Sequence, residues 1–96
     1  MNRDIVWTTR FKKDYKLALK RGYKSEKIET VIALLAEGNH QEVLISKYKD
    51  HALSGNWSGY RECHIEPDWL LIYEILDDIL VLSISRTGTH SDLFGK

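Results

Sequence analysis

Proline and cysteine are nearly missing from this 96-residue chain, with Pro67 and Cys63 the sole examples. One cysteine excludes an internal disulfide framework and points to a reducing compartment. No apolar run approaches the roughly 20 residues of a membrane span. Met1-Asn2-Arg3-Asp4 lacks the apolar centre of a signal peptide. The expectation is a cytoplasmic protein with no membrane partner. Also missing are CxxC, HExxH, a Walker loop and GxGxxG. No serine sits in a nucleophile elbow. The lone cysteine and scattered histidines show no metal-ligand spacing of the usual kind. Metal-dependent and acyl-enzyme chemistry are therefore disfavoured, and no cofactor is expected. With no repeat, low-complexity tract or linker, residues 1–96 read as one small domain.

Net charge is zero, yet it is unevenly spread. Residues 1–25 carry eight Lys/Arg against two Asp, a net +6 that the remainder cancels. That basic half suits a nucleic acid or an acidic protein, or is simply a solvated helix face. Asp4–Thr8 is β-branched and aromatic, as a first strand would be. Thr8 or Thr9 is placed to cap a helix whose Phe11, Tyr15, Ala18, Leu19 and Gly22 share a face. Ser25 is placed to cap a second helix, with Ile28, Val31, Ile32 and Leu35 as its apolar stripe and Gly38-Asn39 as its stop. The short link predicts an antiparallel helix hairpin. His40–Lys49 fits a helix turn or an edge strand, and residues 54–59 read as loop.

Three strands are predicted next. Tyr60–Glu66 alternates, with Arg61, Cys63 and Ile65 on one face and Tyr60, Glu62, His64 and Glu66 on the other. Pro67-Asp68 turns the chain into Trp69–Leu76, apolar enough to be covered on both faces. After Asp77-Asp78 comes Ile79–Arg86, with Leu80, Leu82 and Ile84 on one face. Short turns imply an antiparallel meander, and the helices covering one face make a two-layer α+β domain. Ser91–Phe94 is a short terminal turn.

The residues present suit RNA cleavage without a metal. That reaction uses the RNA 2′-OH as nucleophile and needs a base, an acid for the leaving 5′-oxygen and a cation for the phosphate. Histidine serves both proton tasks near neutral pH. Arginine's planar fork matches phosphate oxygens, and aromatic rings hold a base by stacking. His51, His64, His90, Asp68, Arg86, Trp69 and Phe94 supply each part. Each also has a plain structural reading. Trp69 opens an apolar strand, Asp68 follows a proline in a turn, and Arg86 ends a strand. His40 reads as a surface residue.

Two strings go further. Residues 48–73, with Asp50-His51, Gly55, Trp57, Arg61-Glu62, His64-Ile65 and Pro67-Asp68-Trp69, resemble the YafQ-type toxins of the RelE/ParE superfamily. So does Arg86-Thr87-Gly88-Thr89-His90-Ser91-Asp92-Leu93-Phe94. The resemblance implies a RelE-like microbial-RNase fold of order β-α-α-β-β-β, with the first strand and helix hairpin packed on an antiparallel sheet. It implies the toxin of a type II toxin–antitoxin pair, an endoribonuclease cutting messenger RNA on the 70S ribosome. An acidic, partly disordered antitoxin would wrap it. His51, His64, Asp68 and His90 fall on the family's catalytic positions, while Trp69 and Phe94 contact bases or shape the pocket. Glu62 stands where some relatives have aspartate, so its part in binding RNA is less fixed. Arg86 would hold the phosphate. His51 and His64 serve the 2′-OH side and His90, with Asp68, the leaving group, although base and acid can be exchanged. The same superfamily includes toxins that poison DNA gyrase by protein contact, and these lack the histidine set.

Overall fold

The computed structural model describes residues 2–95. β1 (Asp4–Trp7) leads into α1 (Thr9–Lys20), α2 (Ser25–Glu37) and α3 (Gln41–Tyr48). A two-residue β2 (His51–Ala52) and a 3-10 turn (Gly55–Trp57) precede β3 (Arg61–Glu66), β4 (Trp69–Leu76) and β5 (Val81–Gly88), and α4 (His90–Phe94) follows. The five strands form one sheet in the order β1-β5-β4-β3-β2. Its β3–β5 part is the predicted antiparallel meander, to which the unpredicted two-residue β2 adds a further antiparallel strand. The edge strand β1 runs parallel to β5, however, so the sheet is mixed. Parallel neighbours require a long crossover, and everything from α1 to β4 supplies it.

Local chemistry sets the helix ends. The Thr8 side chain accepts the Phe11 N–H at 3.1 Å and caps α1. At the other end Gly22 N–H donates to Leu19 O and Tyr23 N–H to Ala18 O, the paired bonds of a Schellman stop, with Gly22 at φ 92°. α2 starts one residue earlier than the capping pattern suggests. Ser25 is its first helical residue, Lys24 takes the cap position, and no side chain caps it. The ambiguous His40–Lys49 segment is the helix α3, which buries only Leu44 and so shows little periodicity in sequence.

The core lies between the sheet and α1–α3. Phe11, Ala18, Ile28, Val31, Ile32 and Leu35 pack there against Cys63, Trp69, Leu71, Tyr73, Leu82 and Ile84. Leu19, expected on this face, is 43% exposed. A smaller cluster on the opposite sheet face joins Leu70 and Ile72 to Leu93 of α4, under Leu53, Trp57, Tyr60 and Phe94. β4 is thus covered on both faces, and each of its buried aliphatics contributes about 1.5–3 kcal/mol. The last strand begins at Val81 rather than Ile79, because Leu80 sits in a turn at φ 53°. Its carbonyl accepts the Asp4 N–H there at 2.8 Å, and its side chain is 39% exposed.

Candidate active site

Strand register creates the site. His51 on β2 is the cross-strand partner of Glu62 on β3, so the two share a sheet face. His64, two positions along β3, points the same way. The buried Glu62 carboxylate lies between them, with Oε1 3.5 Å from His51 Nε2 and 3.3 Å from His64 Nε2. Glu62 thus underlies both imidazoles. His90 arrives from the start of α4. The His51 and His64 ring centres are 6.2 Å apart, and those of His64 and His90 are 5.6 Å apart. The sequence-predicted histidines therefore converge, and Asp68 joins them.

Each imidazole is fixed through the same nitrogen. His51 Nδ1 lies 2.8 Å from Lys49 O, and His64 Nδ1 lies 3.3 Å from Pro67 O. A carbonyl only accepts, so the network assigns the proton to Nδ1 in both rings. His90 Nδ1 lies 2.6 Å from Asp68 Oδ1, which also accepts the His90 backbone N–H at 2.8 Å. These two bonds, the backbone one foremost, hold the Asp68 carboxyl below its usual pKa. Asp68 is therefore an anion throughout the neutral range. In all three rings Nε2 remains for chemistry.

α4 is held firmly for a helix so short. Thr89 and Asp92 form a reciprocal capping box. Asp92 also accepts from Arg21, which caps the C-terminus of α1, at 2.6 Å, and this bond, with help from Thr89, lowers its pKa to about 2. Gly88 permits the close approach, since a Cβ there would lie 3.0 Å from Asp92 Cβ.

The expected binding residues divide. Phe94, the last residue of α4, is half-buried and meets Trp57 edge-on at 6.5 Å. Trp57 in turn meets Tyr60 at 5.3 Å. Trp57 sits in a stretch that reads as loop and Tyr60 opens an expected strand, so neither stands out in the sequence as a site residue. Trp69 is different. It is fully buried on the helix side of the sheet, stacked on Tyr23 at 4.6 Å. It cannot touch a base, so of its two expected roles, contacting bases or shaping the pocket, the first does not fit this burial. Arg86 is turned toward α1, where Nε and Nη2 pair with Asp14 at 2.7 and 3.2 Å. It shares that cleft with Arg10 and Arg21.

The donor atoms of His51, Glu62 and His64 all lie within 4.8 Å of one another. That set suits a transition-metal ion, a grouping that linear spacing hid because strand pairing assembles it.

Known proteins resemble this chain over nearly its whole length. A sequence model described as "Bacterial toxin of type II toxin-antitoxin system, YafQ" matches residues 3–95. The mRNA interferase toxin YafQ of Escherichia coli K12 is 45% identical over 95 residues, 99% of either chain. The crystal structure of YafQ from E. coli BL21(DE3) superposes with a TM-score of 0.88 at 44% identity, covering 97% of this chain and 99% of that one. YafQ in the E. coli DinJ–YafQ toxin–antitoxin complex gives 0.84 at 45% identity, covering 99% and 100%. Family model, full-length identity and fold agree over nearly the whole chain, and the chain belongs to the YafQ family of bacterial type II toxin–antitoxin toxins, whose activity is that of an mRNA interferase.

Proposed function

We propose that this toxin cuts messenger RNA at the His51–His64–His90 cleft without a metal cofactor. One observation carries the reading: three imidazoles, each anchored through Nδ1, lie side by side with ring centres 6.2 and 5.6 Å apart. On the 2′-OH side, His51 or His64 removes the nucleophile's proton through Nε2, and the other orients the hydroxyl. Glu62 accepts the proton-bearing Nε2 that results, at 3.5 or 3.3 Å. As the 2′-oxygen bonds to phosphorus, the P–O5′ bond breaks. His90 delivers its Nε2 proton to that leaving oxygen. Anionic Asp68 at Nδ1 stabilises the imidazolium that His90 must be beforehand. Arg86 is the cation for the phosphate. Asp14 tethers its Nε and Nη2, and Nη1 takes no part in that pair. Phe94, with Trp57 and Tyr60, offers aromatic surface for a neighbouring base.

The toxin acts in the cytoplasm on messages being translated by the 70S ribosome. Its basic α1 meets RNA when free and an acidic, partly disordered antitoxin when restrained, as DinJ restrains YafQ in the E. coli complex. Among the described residues no helix is long and apolar enough to cross a membrane.

Cleavage of a translated message by His51→Ala, His64→Ala, His90→Ala and Asp68→Asn variants tests the assignment. Each should lose about 100-fold or more in rate. Full activity in His90→Ala would remove the acid. Inhibition of gyrase supercoiling by the parent, without cut RNA, would replace the nuclease reading with a protein-binding one.

A further inference from the structure

A buried ionic cluster lies directly behind His51, and the mechanism above makes no use of it. Asp50 is 8% exposed. Its carboxylate accepts from Arg61 Nε at 2.8 Å and Nη2 at 2.6 Å, and from the Tyr73 hydroxyl. Burial, then the Asp50 bond, pushes the Tyr73 hydroxyl pKa far above its ordinary value, so it stays a donor. Tyr73 belongs to the helix-side core, as does Cys63 two residues beyond Arg61. Asp50 and His51 are consecutive and so point to opposite sides of the sheet. The cluster grips one side while the imidazole stands on the other.

The backbone between them is equally constrained. Lys49 closes α3 in the left-handed region at φ 56°, where a residue with a side chain is strained. Its carbonyl is the one that meets His51 Nδ1, and the next N–H, of Asp50, donates to Leu44 O at 3.0 Å. Rotation at Lys49 or Asp50 would carry that carbonyl away from the ring. Stability alone is a poor account of the cluster. Well-packed apolar residues in place of a buried ion pair commonly stabilise a fold as well or better. What apolar residues lack is directional bonding.

We propose that Asp50, held by Arg61 and Tyr73, is a positioning residue that fixes His51 as the Nδ1–H tautomer with Nε2 toward the cleft. The proposal rests on the reading of His51 as a member of the nuclease centre. Asp77 serves as a control: it pairs with Arg3 at 2.7 Å and lines the same cavity of about 300 Å³, with no bond to the Lys49–His51 segment.

The test uses the full chain labelled with 15N-histidine, with ring nitrogen shifts reporting the tautomer and single-turnover cleavage of a translated message reporting the rate. In Asp50→Asn the His51 ring should move toward the Nε2–H tautomer that free imidazole side chains favour. Its rate should fall about 100-fold, as expected for a displaced reacting group, with little change in RNA affinity. Tyr73→Phe should shift both in the same direction by less. Asp77→Asn should lower only the unfolding midpoint. A folded Asp50→Asn with the parental tautomer and rate overturns the proposal. Should that variant not fold, a parental tautomer in Tyr73→Phe overturns it instead. A shifted tautomer with full cleavage would keep the clamp and remove His51 from catalysis, so the two readings fail separately.

Discussion

Replacing Trp69 separates a base-contacting residue from a core residue. Its side chain is fully buried against Tyr23, and its Nε1–H is a buried donor with no partner among the described residues. Trp69→Ala removes the whole indole and leaves a cavity, a change that costs about 3–5 kcal/mol. Small domains are held by about 5–15 kcal/mol, so much of that protein stays folded at 25 °C with a sharply lower urea midpoint. Trp69→Phe is gentler. It forfeits about two methylene equivalents, near 2 kcal/mol. It also removes the orphan N–H, whose burial costs about 1–3 kcal/mol. The effects nearly cancel, and the variant should lie within about 1 kcal/mol of the parent. Urea denaturation followed by circular dichroism measures both. Cleavage assayed in parallel, per folded molecule, should stay within about twofold of the parent for Trp69→Phe. A parental urea midpoint combined with a large loss of cleavage in that variant would refute the reasoning and return the indole to the RNA surface.

Asp14→Ala strands the buried Thr87 N–H, which Asp14 accepts at 3.2 Å, and releases Arg86. The loss should be about 2 kcal/mol, read from the same urea midpoint. Acid should loosen α4 before the sheet. Asp92 titrates near 2 in the folded chain against its usual 3.8, so its contribution is complete above about pH 4 and disappears as pH falls toward 2. Leu93 methyl resonances should shift across that window, and Asp92→Asn should abolish the shift. Zinc or copper ions should inhibit cleavage by taking the Nε2 lone pairs of His51 and His64 around Glu62, with a chelator restoring the rate. Zinc binding by titration calorimetry that is unchanged in His51→Ala would disprove that site.

The parts of the fold that could be read in advance are those where one physical signal dominates. Ile28, Val31, Ile32 and Leu35 repeat at helical spacing, and all are buried. Arg61–Glu66 alternates, and its two faces divide between core and cleft as expected. β4 hid its own answer. Because both of its faces are apolar, nothing in the sequence marks Trp69 as helix-facing while Leu70 and Ile72 support the site. The tether of Arg86 to Asp14 was hidden for a related reason. A strand-end guanidinium suits a phosphate, and only the packing of α1 along β5 brings Asp14 to it. The pairing of His51 with Glu62 depends on a register set by the intervening loop, which local sequence does not specify. The strand β1 is legible in the sequence but its parallel pairing is not, because its partner lies at the far end of the chain.

That pairing bears on how such a protein is made. β5 lies between β1 and β4, and His90 follows it directly. A nascent chain halted before residue 81 has no partner for its first strand and no neighbour on one side of β4. Long-range pairings of this sort form late in folding. Synthesis must therefore pass β5 and His90 before the set of three imidazoles is complete.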